Sequence, residues 1–517
     1  MKARRRCRKP LREISIELKE RTMRTIGRTE MIIARAAIAG LVLQILATIA
    51  GAEVVEISGE MLRDKIRGGM LGQIIGNLNG LPHEMKYIEE PGNVIEYKPA
   101  LPDGARTDDD TDFEWVYIFT MQKENEIYLK PERIAALWKE RINKGIWCSN
   151  RFARNMMDLG FEPPLTGSAA LNPWAEFNIS GQFLCETFAL LAPAMPQTAS
   201  RIGLNYTRVA IDGEPAQSTQ LFCAMISTAF VENDVNRIIA SGVESLDEKS
   251  VIRQIVADVR DWHGKYKDDW RQTRRLIKEK YVRYGGQMRD NNGFELNTAA
   301  VIAALLYGNG DFVQTMKMAF NFGWDADCVA ATCGTVVGVT KGYKWMMSQG
   351  WQIVDRYKNT TRDNMPKDET ITCYADRVLD LAEVVITKQG GRRILTDGRV
   401  IYEIPAEKSA NIHTLVSPDA EVDELRKKMG SQVKETITNG QDSLKLARAA
   451  YIAICLDMSE QIRKDQPQRW AQAIDAMAGQ RRFVQNIYYD SNIPASLELR
   501  KKAAAAGLEK PPTKNID

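Results

Sequence analysis

The sequence predicts an all-α protein: a helical bundle that carries a C-terminal appendage of one hairpin and further helices. Three observations predict it. From Met61 to about Ile386 apolar residues recur at helical spacing, in long segments broken by short Gly, Pro, Asp and Asn stretches. Alternating β patterns are scarce across that span. Two of the helical segments carry glycine at every fourth position, which suits a helix face that another backbone approaches closely.

Taken in chain order, the N-terminus comes first. Residues 1–30 hold 11 Lys/Arg and 4 Asp/Glu, whereas residues 31–52 hold one Arg and no acid. Arg35 precedes the uncharged run AAIAGLVLQILATIA (36–50), and Ala50-Gly51-Ala52 follows it. Basic region, short apolar run and small-x-small site together form the layout of a signal peptide. Residues 1–52 are therefore expected to be a leader cleaved near Ala52, with the mature protein exported to a periplasmic or extracellular space. An uncleaved anchor would bring a membrane contact, and a misread start would leave the protein cytoplasmic. The apolar run is shorter than the roughly 20 residues of a bilayer span.

The whole chain of 517 residues has a net charge of +3, but this balance comes from the leader. Beyond it the remaining residues carry more acid than base, which gives no electrostatic footprint for nucleic acid. Apolar residues at 44% and charged residues at 26% exclude disorder as the main state. Eight Cys in so long a chain exclude a disulfide-stapled miniature; seven remain without Cys7, and most suit small buried positions.

Helices are expected at Pro131–Ile142, Gln217–Ala240, Val251–Trp262, Thr298–Tyr307, Phe312–Phe322 and Ala330–Trp345. The glycine ladders are Gly68, Gly72, Gly76 and Gly80, then Gly334, Gly338 and Gly342. Gln73, Asn77 and Asn79 interrupt the first, so close helix packing explains it better than a membrane span. Near the C-terminus, Arg393–Thr396 and Arg399–Ile404 flank the turn pair Asp397-Gly398 and read as a hairpin. A boundary near 388 divides a helical domain (53–387) from a C-terminal accessory region (388–517), in which nothing argues catalysis.

The chemistry sits in two acidic clusters. Thr107-Asp108-Asp109-Asp110-Thr111-Asp112 precedes the helix face of Phe113, Trp115 and Val116, so the acids sit at a helix start. There one Asp and one Thr suffice for capping. Four carboxylates in five residues repel one another unless they are solvated or neutralised. Divalent cations are the simplest neutraliser, and these oxygen donors suit Mg²⁺, Mn²⁺ or Ca²⁺. The second cluster, Asp325-Ala326-Asp327-Cys328, again sits where a loop enters a helix. Each alone reads as a solvated cap; facing each other across the glycine ladders, they offer enough carboxylates for two ions. His83, His263 and His413 lack zinc-ligand spacing, and no G-x-S-x-G or Walker loop is present.

This pattern resembles the ADP-ribosylglycohydrolase family. Gly68-Gly69-Met70-Leu71-Gly72 through Asn77 and on to Leu81-Pro82-His83-Glu84 is similar to the family's glycine-rich first helix and its Pro-x-Glu end. The acidic run resembles the Thr-Asp-Asp-Thr motif, and Gly323-Trp324-Asp325-Ala326-Asp327-Cys328 resembles the terminal Asp-x-Asp-Thr motif. Gly293-Phe294 with Asn297-Thr298 is a weaker echo. The resemblance implies an all-helical hydrolase with a two-ion Mg²⁺ or Mn²⁺ centre, acting on a small-molecule or protein-linked ADP-ribosyl substrate. Of the two registers for the first cluster, Thr107–Asp110 and Asp108–Thr111, the position of Phe113 favours the second. The implied ligands are then Asp108, Asp109, Asp110, Asp325, Asp327 and Cys328. Asp108 and Cys328 stand where the family has hydroxyl ligands. Glu84, Asp109 and Asp110 are the implied catalytic carboxylates, and Gly293, Phe294 and Trp324 the implied substrate contacts. The resemblance thus implies hydrolysis of an N- or O-glycosidic bond at a ribose. The two altered ligand positions also suit a non-catalytic protein that keeps the fold, and a metal-dependent phosphoesterase is a third reading.

Overall fold

In the computed structural model, residues 53–284 and 293–512 are described; the expected leader lies outside them. Val54–Ser58 (β1) opens the described chain and leads into Gly59–Gly80 (α1), where Ser58 accepts a hydrogen bond from Met61 N at 3.1 Å and caps the helix. The elements that build the site follow in order: Asp109–Glu124 (α2), Cys148–Asp158 (α3), Glu214–Thr228 (α4), Trp270–Tyr281 (α5), Phe294–Gly308 (α6) and Ala326–Lys341 (α7). Among the described residues no helix is long and apolar enough to cross a membrane.

The fold is all-α, as its periodicity predicts. Its organising contact is α1 against α7. The two glycine ladders face each other: a methyl group placed on Gly72 would overlap the Gly334 carbonyl, and one on Gly334 would overlap the Gly72 carbonyl. The ladder ends at the second acidic cluster, since a Cβ on Gly80 would lie 2.5 Å from Asp327 Cα. Glycine here removes the side chains that would hold two backbones apart, which offsets its helix penalty of about 1 kcal/mol per residue.

Two expected helices are divided. Gln217–Ala240 is α4 followed by Val235–Glu244, because Asp234 caps the second helix through Asn236 N at 2.8 Å. Ala330–Trp345 ends at Gly342, whose φ of +80° stops α7, and Tyr343–Ser348 begins anew. The hairpin forms as Arg392–Thr396 (β2) and Arg399–Pro405 (β3), with Asp397 and Gly398 both at positive φ. β1 pairs antiparallel with β3, so the start and the end of the helical region meet in one small sheet.

Short strands escape the periodicity argument. Ala105–Arg106 pairs in parallel with Tyr357–Lys358, which brings Tyr357 to Arg362 onto the acidic run. After the hairpin, Ser443–Cys455 (α8) and Arg481–Ile487 (α9) share a second apolar core with α3. The Phe152 and Phe483 rings pack at a tilt with centroids 5.3 Å apart, and Tyr451 donates to the Leu171 carbonyl.

Candidate metal centre and substrate cavity

Close packing of α1 on α7, with α2 beside them, brings both acidic helix starts to one point. Ligand atoms of Asp110, Asp325, Asp327 and Cys328 all lie within 4.8 Å of one another, and all four residues are buried. Cys328 Sγ donates to Asp110 Oδ1 at 3.0 Å, so the thiol faces the first cluster.

Capping does not account for these acids. Asp108 stands at the N-cap of α2 and Asp325 at that of α7, yet neither side chain makes a capping hydrogen bond. Asp108 instead accepts from Arg106 and from Asn77 Nδ2, each at 3.1 Å. Asn77 Nδ2 also reaches Asp110 Oδ2 at 3.0 Å, tying the glycine-rich helix to both carboxylates. Oδ1 of Asp327 is buried without a hydrogen-bond partner.

Electrostatics set the same requirement. Burial pushes the carboxyls of Asp109, Asp110 and Asp327 well above the usual range, and their acidic neighbours push them further. A bound cation would reverse both effects. Hard carboxylate oxygens, an orphaned buried oxygen and a shared focus fit a divalent ion. The Cys328 sulfur is the one soft donor.

The remaining polar groups of the first cluster have protein partners. Asp112 is fully buried in an ion pair with Arg362 at 2.7 Å, and Thr361 Oγ1 donates to it at 2.8 Å. Thr111 Oγ1 bonds the Tyr357 hydroxyl, and Thr107 Oγ1 accepts from Thr360 N. Of the four acids in the run, Asp108, Asp109 and Asp110 face the cavity and Asp112 holds the wall.

That cavity has a volume of about 590 Å³, in the range of small-molecule sites. The acids form its floor, and Glu84 stands at its edge. Glu84 is open to solvent, yet crowding by the surrounding protein and the charges of Asp325 and Asp108 push its carboxyl up to about 7. Arg274 of α5 stitches the Glu84 loop to the Asp325 loop. It donates to the carbonyls of Phe322 and Tyr87, both at 2.6 Å, while Met85 N donates to the Trp324 carbonyl at 2.6 Å.

None of the three expected substrate contacts is among the described residues that line this cavity. Trp324 is fully buried, with the Arg274 guanidinium 3.4 Å from its ring centroid, so its ring braces the loop and is absent from the cavity lining. Gly293 and Phe294 are buried beside the lining residue Asn178. Gly293 pairs with Asn178 and Phe294 N bonds the Phe177 carbonyl, while Asn297 accepts from Asp325 N at 3.1 Å. Their contribution is to fix Asn178 and Asp325.

Asn77, Arg362, Arg274 and the wall residues Trp147 and Tyr489 were not expected as site residues. Asn77 had a local signal, an amide inside a glycine ladder. Arg362, Arg274 and Tyr489 are isolated residues whose partners lie far away in sequence, and Trp147 carries no motif.

An all-helical fold whose two acidic helix starts converge on a cavity defines a candidate metal-centre hydrolase. The sequence profile of the ADP-ribosylglycohydrolase family matches residues 58–388, more than half of the chain, and the chain belongs to that family. A search of curated proteins returns no match.

Proposed function

We propose that the protein hydrolyses an N- or O-glycosidic bond at the anomeric carbon of an ADP-ribosyl or related ribosyl substrate, with two Mg²⁺ or Mn²⁺ ions at the acidic centre. The observation that carries this reading is the focus of Asp110, Asp325, Asp327 and Cys328 within 4.8 Å, all buried, where burial and acidic neighbours push the Asp110 and Asp327 carboxyls up. Asp108 and Asp109 line the same floor and complete the donor set. When bound, the ions supply Lewis-acid polarisation of the ribose hydroxyls and of a water.

The chain's own residues do the rest. Glu84, at the edge with a carboxyl near 7, is suited to take a proton from an attacking water at neutral pH. Such general-base help contributes about 10²–10⁴-fold. Asn77 fixes two of the carboxylates, and the Arg274–Trp324 pair fixes the loops that carry Glu84 and Asp325.

The test is product analysis with ADP-ribosylated peptide, ADP-ribosyl small molecules and ribonucleosides, in Mg²⁺, in Mn²⁺ and in chelator. Metal-dependent release of a free ribosyl product, reduced about 10²-fold or more in Glu84→Gln, is expected. Release of phosphate instead would mark a phosphoesterase. Metal binding without turnover of any substrate would mark a binding protein that retains the fold.

A further inference from the structure

The family match ends at residue 388, yet the cavity does not. Tyr489, which follows α9, lines the same cavity as the acidic floor, together with Trp147 at the start of α3. The two sides are mechanically joined. α9 packs on α3 through Phe483 and Phe152, and the Tyr489 ring rests edge-on against Trp174 at 6.2 Å. Trp174 in turn contacts Phe177, the residue before the lining residue Asn178. Tyr489 is therefore held by the core that positions the start of α3.

The chemistry of this wall differs from that of the floor. Trp147 is 54% exposed, unusual for so large an apolar side chain, and its ring is braced by the Arg151 guanidinium at 4.8 Å. Asn150 lines the cavity between floor and wall. Its Nδ2 donates to Ser180 Oγ at 2.9 Å, while its buried Oδ1 has no partner. Among the described lining residues none is a lysine or an arginine. Aromatic faces and an amide acceptor recognise a planar ring that carries N–H donors, and they do so without charge.

Resting on the glycosidic reading above, we propose that residues beyond 388 form part of the substrate site. Tyr489 and Trp147 make an aromatic wall for a planar nitrogen heterocycle of nucleobase type on the ribosyl substrate. Two sources share that chemistry: the base of an unphosphorylated nucleoside, and the adenine of an ADP-ribosyl group.

The experiment measures Kd by calorimetry for adenosine, ADP-ribose and ribose, using the full-length protein in Mg²⁺, as wild type, Tyr489→Phe and Tyr489→Ala. Removing a ring under a stacked base is expected to weaken binding about 5- to 150-fold. The Ala variant should therefore lose affinity for the heterocyclic ligands by that factor, the Phe variant should stay within about threefold of wild type, and ribose should be unaffected by either. Whichever of adenosine and ADP-ribose binds wild type more tightly identifies the source. Unchanged heterocycle affinity in Tyr489→Ala, an equal loss for ribose, or no heterocycle binding to wild type would each overturn the proposal. Its failure is separable from failure of the hydrolase reading. Metal-dependent hydrolysis with an unaltered KM in Tyr489→Ala sinks the wall alone. Tyr489-dependent heterocycle binding without hydrolysis sinks the enzyme alone.

Discussion

Helices Phe312–Phe322 and α7 follow one another in the chain, and both begin on an aspartate. At the first, Asp311 is exposed and its carboxylate accepts from Gln314 N at 2.7 Å, an ordinary cap. At the second, Asp325 and Asp327 are buried and Asp325 makes no capping bond. The same residue type at the same position thus performs two jobs, and burial without a cap distinguishes them. A capping carboxylate spends its charge on the helix's own N–H groups. A buried one that does not cap needs a counter-charge from elsewhere, and for Asp112 that partner is Arg362. For the Asp110–Asp327 focus the counter-charge we propose is a divalent cation from solvent.

The largest effect should come from setting these two starts against each other. Asp327→Asn should lower affinity for Mg²⁺ or Mn²⁺ by about 100-fold or more, since each lost charged ligand removes several kcal/mol of ion interaction. In chelator, the same variant should melt higher than wild type, because it removes a carboxylate held buried among its like. Asp311→Ala should do the reverse: metal affinity unchanged, stability lower by about 1 kcal/mol. The sign with pH follows from linkage. Crowding by the surrounding protein and the charges of Asp325 and Asp108 push the Glu84 carboxyl in the folded state up to about 7, above the usual carboxylate range of about 4 to 4.5. The folded state therefore binds more protons than the unfolded state between those values, and this group's contribution to stability falls as pH rises through that window. Thermal melts in chelator and in Mg²⁺ at pH 4.5–7 check this, and a metal-saturated protein should lose the effect. Equal metal binding by Asp327→Asn and wild type would place the ion site elsewhere.

Much of this contrast is legible in the sequence, and the reason is locality. The glycine ladders, the hairpin turn pair and both acidic helix starts are patterns within twenty or so residues, so periodicity and composition reveal them. Which acid of the run Thr107–Asp112 leaves the site is not local. It depends on Arg362, brought over by two-residue strands too short to show a β pattern. Trp324 illustrates the same limit. Its position beside Asp325 suggested a ring in the cavity, but Arg274, fifty residues earlier and on another helix, holds that ring in the core. The wall at Tyr489 carries no motif at all. Tertiary packing alone makes it part of the site.

Arg274 gives a sharper test of how the uncapped start is held. Gly323 and Trp324 both have positive φ, and so does Met85 on the facing loop, a backbone arrangement that costs about 1–3 kcal/mol per non-glycine residue. The fork of Arg274 compensates by bonding carbonyls on both loops. Arg274→Met should lower metal affinity and kcat about tenfold, while Asp311→Ala leaves both unchanged. Arg274→Lys should not rescue it, since one ammonium cannot reproduce the planar fork. A loss of melting temperature with metal affinity intact would reduce Arg274 to a packing role.

The smallest expected effect concerns the soft donor at the same start. Cys328 follows Asp327 directly, and its sulfur lies 3.0 Å from Asp110 Oδ1, so the thiol sits within the focus of carboxylates. Sulfur is a poor partner for Mg²⁺ and a better one for softer ions, whereas a threonine hydroxyl offers a hard oxygen of similar reach. Cys328→Thr should therefore raise the affinity for Mg²⁺ relative to Mn²⁺, by roughly two- to fivefold if one ligand of several is exchanged. Folding should be little affected, because the side chains are close in size and the hydroxyl can replace the thiol's hydrogen bond to Asp110. The opposing view treats Cys328 as a small buried residue that happens to point toward the acids. It predicts a slight loss of stability and no change in metal preference. The two views differ in one measured ratio, Kd for Mg²⁺ over Kd for Mn²⁺ in variant and wild type. An unchanged ratio in a fully folded variant would remove Cys328 from the ligand set and leave the carboxylates as the whole of the ion site.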